Sequence, residues 1–373
     1  MKILIFNWKD VYHPEAGGAE QYLYEIIKRL VKEDHEVTLL TSLYIGAKRE
    51  EVTFGGKLRI LRKGNKFTTY LWAPFQFFHK LKIKRYDIIL DSENGIPFFT
   101  PFFIRSPKIC IVYHVHKEVF RKELGIISII GYFLEDILMP IVYRKIPFIT
   151  ISTCTRKDLE KLGISKKHIF IVVPGINVDE KQKFNKTNWP SLLYFNRFSK
   201  YKNVEDTVYV LKKVKEKIPE TRLSLGGCKG TREERKIKHL VEKLNLFDSV
   251  DFFSFVPQEK KDEIFAKHWV HILPSMKEGF GMSVIEAAKN GTPTVGYDVP
   301  GLRSTVRNGE TGFLVPYRRV DLLADAVLKI LQNDKLRQSM SEKGIEFSKN
   351  FDWEKTYIEF MKIIKQEISK CKR

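Results

Sequence analysis

Cysteine is scarce in this chain: four residues in 373, at Cys110, Cys154, Cys228 and Cys371. None forms a C-x-x-C pair, and no histidine cluster stands at zinc spacing. A disulfide framework and a zinc staple are therefore not expected, and a reducing, cytoplasmic setting fits. A chain this long can bury a full core without such staples. Long apolar runs are also missing. The opening MKILIFNWKD has one short apolar run and then charge, which is too short for the apolar core of a secretory leader. The most apolar stretch, GIISIIGYFLEDILMPIVY from Gly125, is interrupted by Glu135 and Asp136 and contains Pro140. A spanning helix needs about 20 mostly apolar residues, and two central carboxylates oppose one here. Two readings of this stretch stay open. It is a buried helix, or a helix lying on a bilayer surface with Arg121, Lys122, Arg144 and Lys145 at its ends. Repeats at solenoid spacing are absent. So is a G-x-G-x-x-G after the first apolar run, which a nicotinamide-dependent dehydrogenase would want.

What the chain does have is positive charge. Lysine and arginine number 65 against 45 acidic residues, a formal net charge of +20. Such an excess favours anionic partners: nucleic acid, an anionic membrane surface or phosphorylated small molecules. The cations are spread along the chain and no nucleic-acid recognition motif accompanies them, so nucleic acid is not expected as the partner. Apolar residues at 43% and charged residues at 29% are an ordinary globular balance, and the length suggests two domains.

Short apolar runs alternate with helical periodicity through both halves. KILIFNW reads as a buried parallel strand, HPEAGGAE as a turn-rich loop, and Gly18 to Lys32 as a helix with Tyr22, Leu23, Ile26, Ile27, Leu30 and Val31 on one face. HEVTLLTS completes a strand–helix–strand unit. Further strands are expected at YDIILDS, KICIVYH, PFITIS and IFIVVP, with an aromatic-rich stretch of helices and loops between them. A second series starts near Ser191. Its strands are SLLYFNRF, TRLSLGG, VDFFSFV, VHILPS, PTVGYD and TGFLVP, separated by charged amphipathic helices. Alternation of this kind predicts α/β domains with doubly wound parallel sheets. The polar segment VVPGINVDEKQKFNKTNWP, broken by Pro174, Gly175 and Pro190, is the linker candidate. The expected domains are residues 1–180, residues 187–348 and a last helix over 349–373.

Four constellations carry chemistry. In KEGFGMSVIEAAKNG, Glu278 and Glu286 are separated by seven residues, with a Gly279-Phe280-Gly281 turn before the helix that holds Glu286. Ligands of doubly wound sheets bind beyond the carboxyl ends of the strands, and exposed N–H groups at a helix start attract phosphate. A carboxylate there suits sugar hydroxyls. The plainer alternative is a helix-start acid and a solvated face residue. In FNRFSKYKN, Arg197, Lys200 and Lys202 follow a strand, where paired cations clamp a diphosphate and stabilise it as a leaving group. A solvated basic loop is the alternative. In HPEAGGAE, Gly17 and Gly18 let backbone approach a ligand at a helix start, or simply make a tight turn. In IVYHVHKE, His114 stands at a strand tip where an imidazole can bind a sugar hydroxyl, with His116 two residues on.

Together these segments resemble the retaining family-4 (group 1) glycosyltransferases of GT-B fold, across nearly the whole chain and in the family's motif order. The resemblance implies two Rossmann-like domains facing each other across a cleft, with a last helix that crosses back to the first domain. It implies that Arg197 and Lys202 hold the donor diphosphate, that Glu278 contacts the transferred sugar and Glu286 the nucleotide ribose, and that the backbone from Gly279 to Met282, through Phe280 and Gly281, helps bind phosphate. Gly17, Gly18 and a strand-tip histidine complete the set, with His114 favoured and His116 left open. The turn Pro174-Gly175-Ile176-Asn177-Val178-Asp179 departs slightly from the family's junction turn. The family normally needs no metal, and no D-x-D motif lies between two strands here. The expectation is a retaining transferase with no cofactor, using a nucleotide-sugar donor and a carbohydrate or lipid-linked acceptor. It would be cytoplasmic and peripheral on an anionic inner membrane face. A hydrolase also uses two carboxylates but leaves the phosphate-suited cations without a purpose. A nucleotide-sugar epimerase of the same fold and a basic nucleic-acid-binding protein remain the alternatives.

Overall fold

The computed structural model describes residues 1–81, 85–116, 120, 125, 128–177, 185–227, 230–254, 256 and 258–371. The chain forms two compact units, Met1–Gly175 with Trp353–Arg373, and Ile176–Asp352. Part of the linker candidate, including Val178 and Asp179, lies outside the described residues, as do Arg121 and Lys122.

The first unit holds eight strands: β1 (Lys2–Asn7), β2 (Glu36–Thr41), β3 (Glu50–Thr53), β4 (Leu58–Arg62), β5 (Ile88–Glu93), β6 (Lys108–Val112), β7 (Phe148–Thr150) and β8 (Ile169–Ile171). Their order is β3-β4-β2-β1-β5-β6-β7-β8. All pairs are parallel except β3–β4. Ile3, Leu4, Ile5 and Phe6 of β1 are fully buried, as a strand covered on both faces requires. The helix Gly18–Lys32 has the predicted bounds and buries Tyr22, Leu23, Ile26, Ile27, Leu30 and Val31. The β3–β4 hairpin has no counterpart in the sequence expectation. It turns through Gly55 and Gly56 at φ of 62° and 91°, a conformation glycine adopts freely. The last helix, Trp353–Cys371, belongs to this unit. Trp353 packs on Tyr22 with ring centroids 5.8 Å apart, and Tyr357 Oη donates to Glu33 at 3.0 Å.

The apolar stretch from Gly125 is helical over Ser128–Tyr132, Phe133–Leu138 and Met139–Val142, the middle turn being π-helical. Its apolarity faces outward. Ile129 is 69% exposed, Ile141 68%, and Phe133 and Ile137 are exposed between them. Glu135, by contrast, is fully buried. The buried-helix reading is thus corrected: residues spaced by four put their apolar side chains on the outer face, while Gly131, Glu135 and Met139 face inward. The aromatic stretch behaves alike. The helix Thr69–Gln76 leaves Leu71 79% exposed, with Phe75 and Phe78 also exposed. Among the described residues, no helix is long and apolar enough to cross a membrane.

The second unit holds β9 (Ser191–Phe195), β10 (Arg222–Gly226), β11 (Val250–Phe253), β12 (Val270–Leu273), β13 (Thr294–Tyr297) and β14 (Gly312–Val315), in the order β11-β10-β9-β12-β13-β14. Every pair is parallel. The flanking helices include Val204–Lys215, Arg232–Lys243 and Val320–Leu331, as the periodicity predicts. The charged helix Asp334–Ser348 was not anticipated. Only Met340, Gly344 and Ser348 of it are buried, so it carries little apolar periodicity to read.

Each sheet reverses its strand order once. In the first unit the chain builds outward from β1 through β2 and β4, then returns to place β5 on the other side of β1. In the second it builds from β9 through β10 and β11, then returns to place β12 beside β9. Ligand crevices of doubly wound sheets form at such reversals, beyond the strands' carboxyl ends.

Candidate active site

The second unit's reversal brings two predicted motifs together. β9 and β12 are paired neighbours, so the loops leaving their carboxyl ends lie side by side. The loop after β9 carries Arg197 and a single 3-10 turn, Lys200–Lys202. The loop after β12 carries Glu278. Lys202 Nζ lies 2.6 Å from Glu278 Oε1, across 76 residues of sequence. Both side chains are nearly buried, Lys202 at 5% and Glu278 at 8%. The backbone reinforces the junction. Met276 donates its N–H to the Tyr201 carbonyl at 2.8 Å. Asn203 Nδ2 donates to the Pro274 carbonyl at 2.9 Å. Asn203 itself sits at φ 47° and opens the helix Val204–Lys215.

A buried ion pair adds little net stability, because desolvation offsets attraction, but removing one partner costs roughly 3–5 kcal/mol. The pair here instead orients a carboxylate. Glu278 Oε1 is held by Lys202, while Oε2 has no hydrogen-bond partner among the described residues and is not sealed from solvent. A hydroxyl donor can therefore bind Oε2 without breaking the pair.

The glycine turn behaves as the motif requires. Gly281 sits at φ 89° and caps the helix Met282–Lys289, with its carbonyl accepting the Val284 N–H at 2.9 Å. Phe280 offers only its backbone. Its ring is buried against Phe351 with centroids 5.5 Å apart. Thr305 Oγ1 also donates to its carbonyl at 3.2 Å. Glu286 lies further along the helix and pairs with Lys261 Nζ at 2.8 Å. Arg197 is partly exposed in the β9 loop, where Tyr194 Oη donates to its carbonyl at 2.9 Å.

Three hydroxyls on these loops escaped the sequence reading. Ser199 Oγ, Ser275 Oγ and Ser283 Oγ are buried without a hydrogen-bond partner. Buried hydroxyls normally have one, and these three lie on the two loops and the helix start at the β9/β12 reversal. Serine interleaved with the cations in RFSKYK was the available signal. Gly301 was missed as well. A Cβ there would lie 2.0 Å from the Glu278 carbonyl oxygen.

The first unit holds the remaining predicted residues. Gly17 precedes the helix Gly18–Lys32, and its N–H donates to Glu20 Oε2 at 2.7 Å. Glu20 Oε1 in turn accepts from Asn94 Nδ2 at 2.7 Å. A carboxylate of the chain thus takes the Gly17 N–H at this helix start, as in a capping box. His114 is partly buried past β6 and its ring lies tilted against that of His116, centroids 4.0 Å apart. His116 is the more deeply buried of the two.

Comparison with known proteins shows the family and the fold. Residues 176–347 match the model for glycosyl transferases group 1, and residues 16–180 match that for glycosyltransferase family 4. A D-inositol 3-phosphate glycosyltransferase of Corynebacterium aurimucosum is 27% identical over 216 residues, covering 53% of this chain and 51% of that protein. The chain spans about half the length of this protein and 30% of a Bacillus subtilis poly(glycerol-phosphate) alpha-glucosyltransferase. Among solved structures, sucrose-phosphate synthase from Thermosynechococcus elongatus superposes with a TM-score of 0.81 at 20% identity, covering 99% of each chain. The Anabaena protein Alr3699/HepE in complex with UDP-glucose superposes at 0.77 and 16% identity, covering 98% of this chain and all of that one. Two reversed parallel sheets and two adjoining family matches spanning residues 16–347 lead to one conclusion: this chain belongs to the group 1, family-4 glycosyltransferases and has the GT-B fold.

Proposed function

We propose that this protein transfers a sugar from a nucleoside-diphosphate sugar to an acceptor hydroxyl with retention of anomeric configuration and without a metal. The second unit binds the donor and the first binds the acceptor. The observation that carries the reading is the Lys202–Glu278 pair at the β9/β12 reversal, on the same loops as Arg197 and the helix start at Met282.

The chemistry follows from those positions. Arg197 and Lys202 neutralise the diphosphate as the anomeric carbon–oxygen bond breaks and negative charge grows on the leaving oxygens. The helix start at Met282 adds N–H donors and a positive dipole end. Glu278 Oε2 orients a hydroxyl of the transferred sugar, and Glu286 the ribose. The acceptor hydroxyl attacks from the face the diphosphate leaves, and its proton passes to the departing phosphate. No carboxylate needs to act as a nucleophile.

A thermal-shift screen tests the donor site. One nucleoside diphosphate among UDP, GDP, ADP, TDP and CDP is expected to raise the melting temperature. At about 100 times its dissociation constant it adds about 2.7 kcal/mol of stability. The size of that shift should be the same with EDTA. If none of the five shifts the transition at any concentration, the donor site is wrongly placed.

The acceptor is proposed to be lipid-linked and reached from the cytoplasmic membrane face. Support comes from the outward apolar side chains of Ile129, Phe133, Ile137 and Ile141, with exposed Arg144 and Lys145 at the end of that segment. Amphipathic surfaces of this kind bury apolar side chains at the headgroup boundary and draw on anionic lipid. The protein is expected to co-sediment with vesicles containing anionic lipid at low salt. Ile129→Ser with Ile141→Ser should weaken that binding. Equal amounts of protein left in the supernatant with and without such vesicles would remove the membrane reading.

A further inference from the structure

The first unit contains a buried ionisable cluster that the donor chemistry does not use. Glu93 ends β5, His116 lies beyond β6, and Glu135 reaches in from the π-helical turn Phe133–Leu138. All three sit at the carboxyl edge of the first sheet. Glu93 and Glu135 are fully buried, and the His116 side chain keeps a tenth of its surface. Glu135 Oε1 accepts the His116 backbone N–H at 2.7 Å and lies 3.2 Å from His116 Nδ1. Glu93 Oε1 lies 3.7 Å from the same nitrogen and accepts the Gly95 N–H at 3.1 Å. The imidazole also packs tilted against His114 and stacks on Phe120, with centroids at 4.0 and 5.1 Å. It is therefore fixed in place by its backbone, its ring faces and one ring nitrogen.

The other nitrogen differs. Nε2 of His116 has no hydrogen-bond partner among the described residues, and it is not among the atoms sealed from solvent. An imidazole that gives Nδ1–H to a carboxylate presents a lone pair at Nε2. Burial, and after it the charge of Glu135, holds the Glu93 carboxyl well above the usual carboxylate range. Glu135 Oε1 already accepts the His116 backbone N–H, so the oxygen that faces Nδ1 is an acceptor.

We propose that Glu135 is a positioning residue: it holds His116 in the Nδ1–H form, so that Nε2 accepts a hydrogen bond from a sugar or polyol hydroxyl at the carboxyl edge of the first sheet. His116, and not His114, is then the working imidazole. The identity of the ligand rests on the transferase reading above; the state of the ring does not.

The test separates these. Ring-nitrogen NMR of the full-length, histidine-labelled protein at pH 8 should show His116 protonated at Nδ1 and not at Nε2. Glu135→Gln retains an acceptor oxygen and should keep that signature and rescue transfer. Glu135→Leu should lose the Nδ1–H preference and lower kcat/KM by about ten- to a hundredfold, the range for carboxylates that back a functional histidine. Its melting transition, followed by circular dichroism, checks that it folds. If it does not fold, His116→Phe and His114→Phe keep aromatic stacking, and the loss at 116 should exceed that at 114 by about tenfold. An Nε2–H signal in the wild type, or a signature unchanged in folded Glu135→Leu, would overturn the proposal. So would one equivalent of a divalent metal in the purified protein. The three side chains have ligand atoms within 4.8 Å of one another, and a metal on Nδ1 would displace its proton. If the signature follows Glu135 but no donor supports transfer, the positioning stands and the transferase reading falls.

Discussion

Arg197→Ala and Glu278→Gln are each expected to lower kcat/KM for sugar transfer by on the order of 100- to 1,000-fold, the usual loss when one group that stabilises transition-state charge is removed. The two changes act differently. Arg197 is partly exposed in the β9 loop, so its truncation leaves no buried charge behind, and stability should change by less than about 1 kcal/mol. Glutamine at 278 keeps the volume of the side chain, and its amide oxygen can still accept from Lys202 Nζ, now at 2.6 Å from Glu278 Oε1. What it loses is the charge that fixes Lys202 and one of two acceptor oxygens for the donor sugar. Kinetics with the nucleotide sugar that gives the largest thermal shift would read the effect. A melting curve for each variant would exclude loss of fold. Activity within threefold of wild type in both variants would sink the site assignment.

Gly301→Ala should be nearly as damaging, although Gly301 bears no functional group. Its φ is −65°, so alanine meets no backbone strain there. The obstacle is space. The new Cβ would sit 2.0 Å from the Glu278 carbonyl oxygen and 2.8 Å from its Cβ. Backbone cannot yield as a flexible side-chain tip does, so the loop carrying Glu278 must shift. Overpacking of this kind costs about 1–3 kcal/mol. A misplacement of about 1 Å in a catalytic group costs on the order of 100-fold in rate. Gly344→Ala is the internal comparison. It lies in the helix Asp334–Ser348, and its Cβ would find its nearest neighbour at 3.5 Å, an ordinary contact. That variant should keep full activity and gain up to about 1 kcal/mol from helix propensity. A fully active Gly301→Ala would show that the Glu278 loop is not held where the structure has it.

Where the chemistry sits was legible from residue order to a useful depth. The seven-residue spacing of Glu278 and Glu286, and the Gly279-Phe280-Gly281 turn before a helix, are local features. The structure places them as the pattern implies, with Gly281 at φ 89° at the helix start. Arg197 and Lys202 were legible in the same way, as cations following an apolar run. The Ser275 and Ser283 hydroxyls were not, because nothing local distinguishes a serine whose hydroxyl is buried without a partner from one facing solvent. Gly301 was not, because its constraint comes from a backbone 23 residues earlier in the chain. The outward face of Ser128–Val142 was left undecided for a related reason. Apolar periodicity says that a face exists, not that protein covers it. Glu135 was noticed as an interruption in an apolar run, and in the structure it is the side chain that turns inward.

Residue order by itself determined the alternation of short buried strands with amphipathic helices, the bounds of the helix Gly18–Lys32, and the chemical type of each loop. These depend on backbone preference and on periodicity within a dozen residues. Tertiary structure alone decided which loops meet. Strand order puts β12 beside β9 and so brings Lys202 to Glu278. It also puts β5 beside β6, where Glu93 and His116 meet a carboxylate delivered by a later helical turn. Strand order is set by burying whole sheet faces under helices, a sum over distant side chains that no local window contains. The surroundings of His114 and His116 have the same origin. Residue order favours His114 for its place after the strand, whereas the contact of His116 Nδ1 with the buried Glu135 at 3.2 Å appears only in the folded chain.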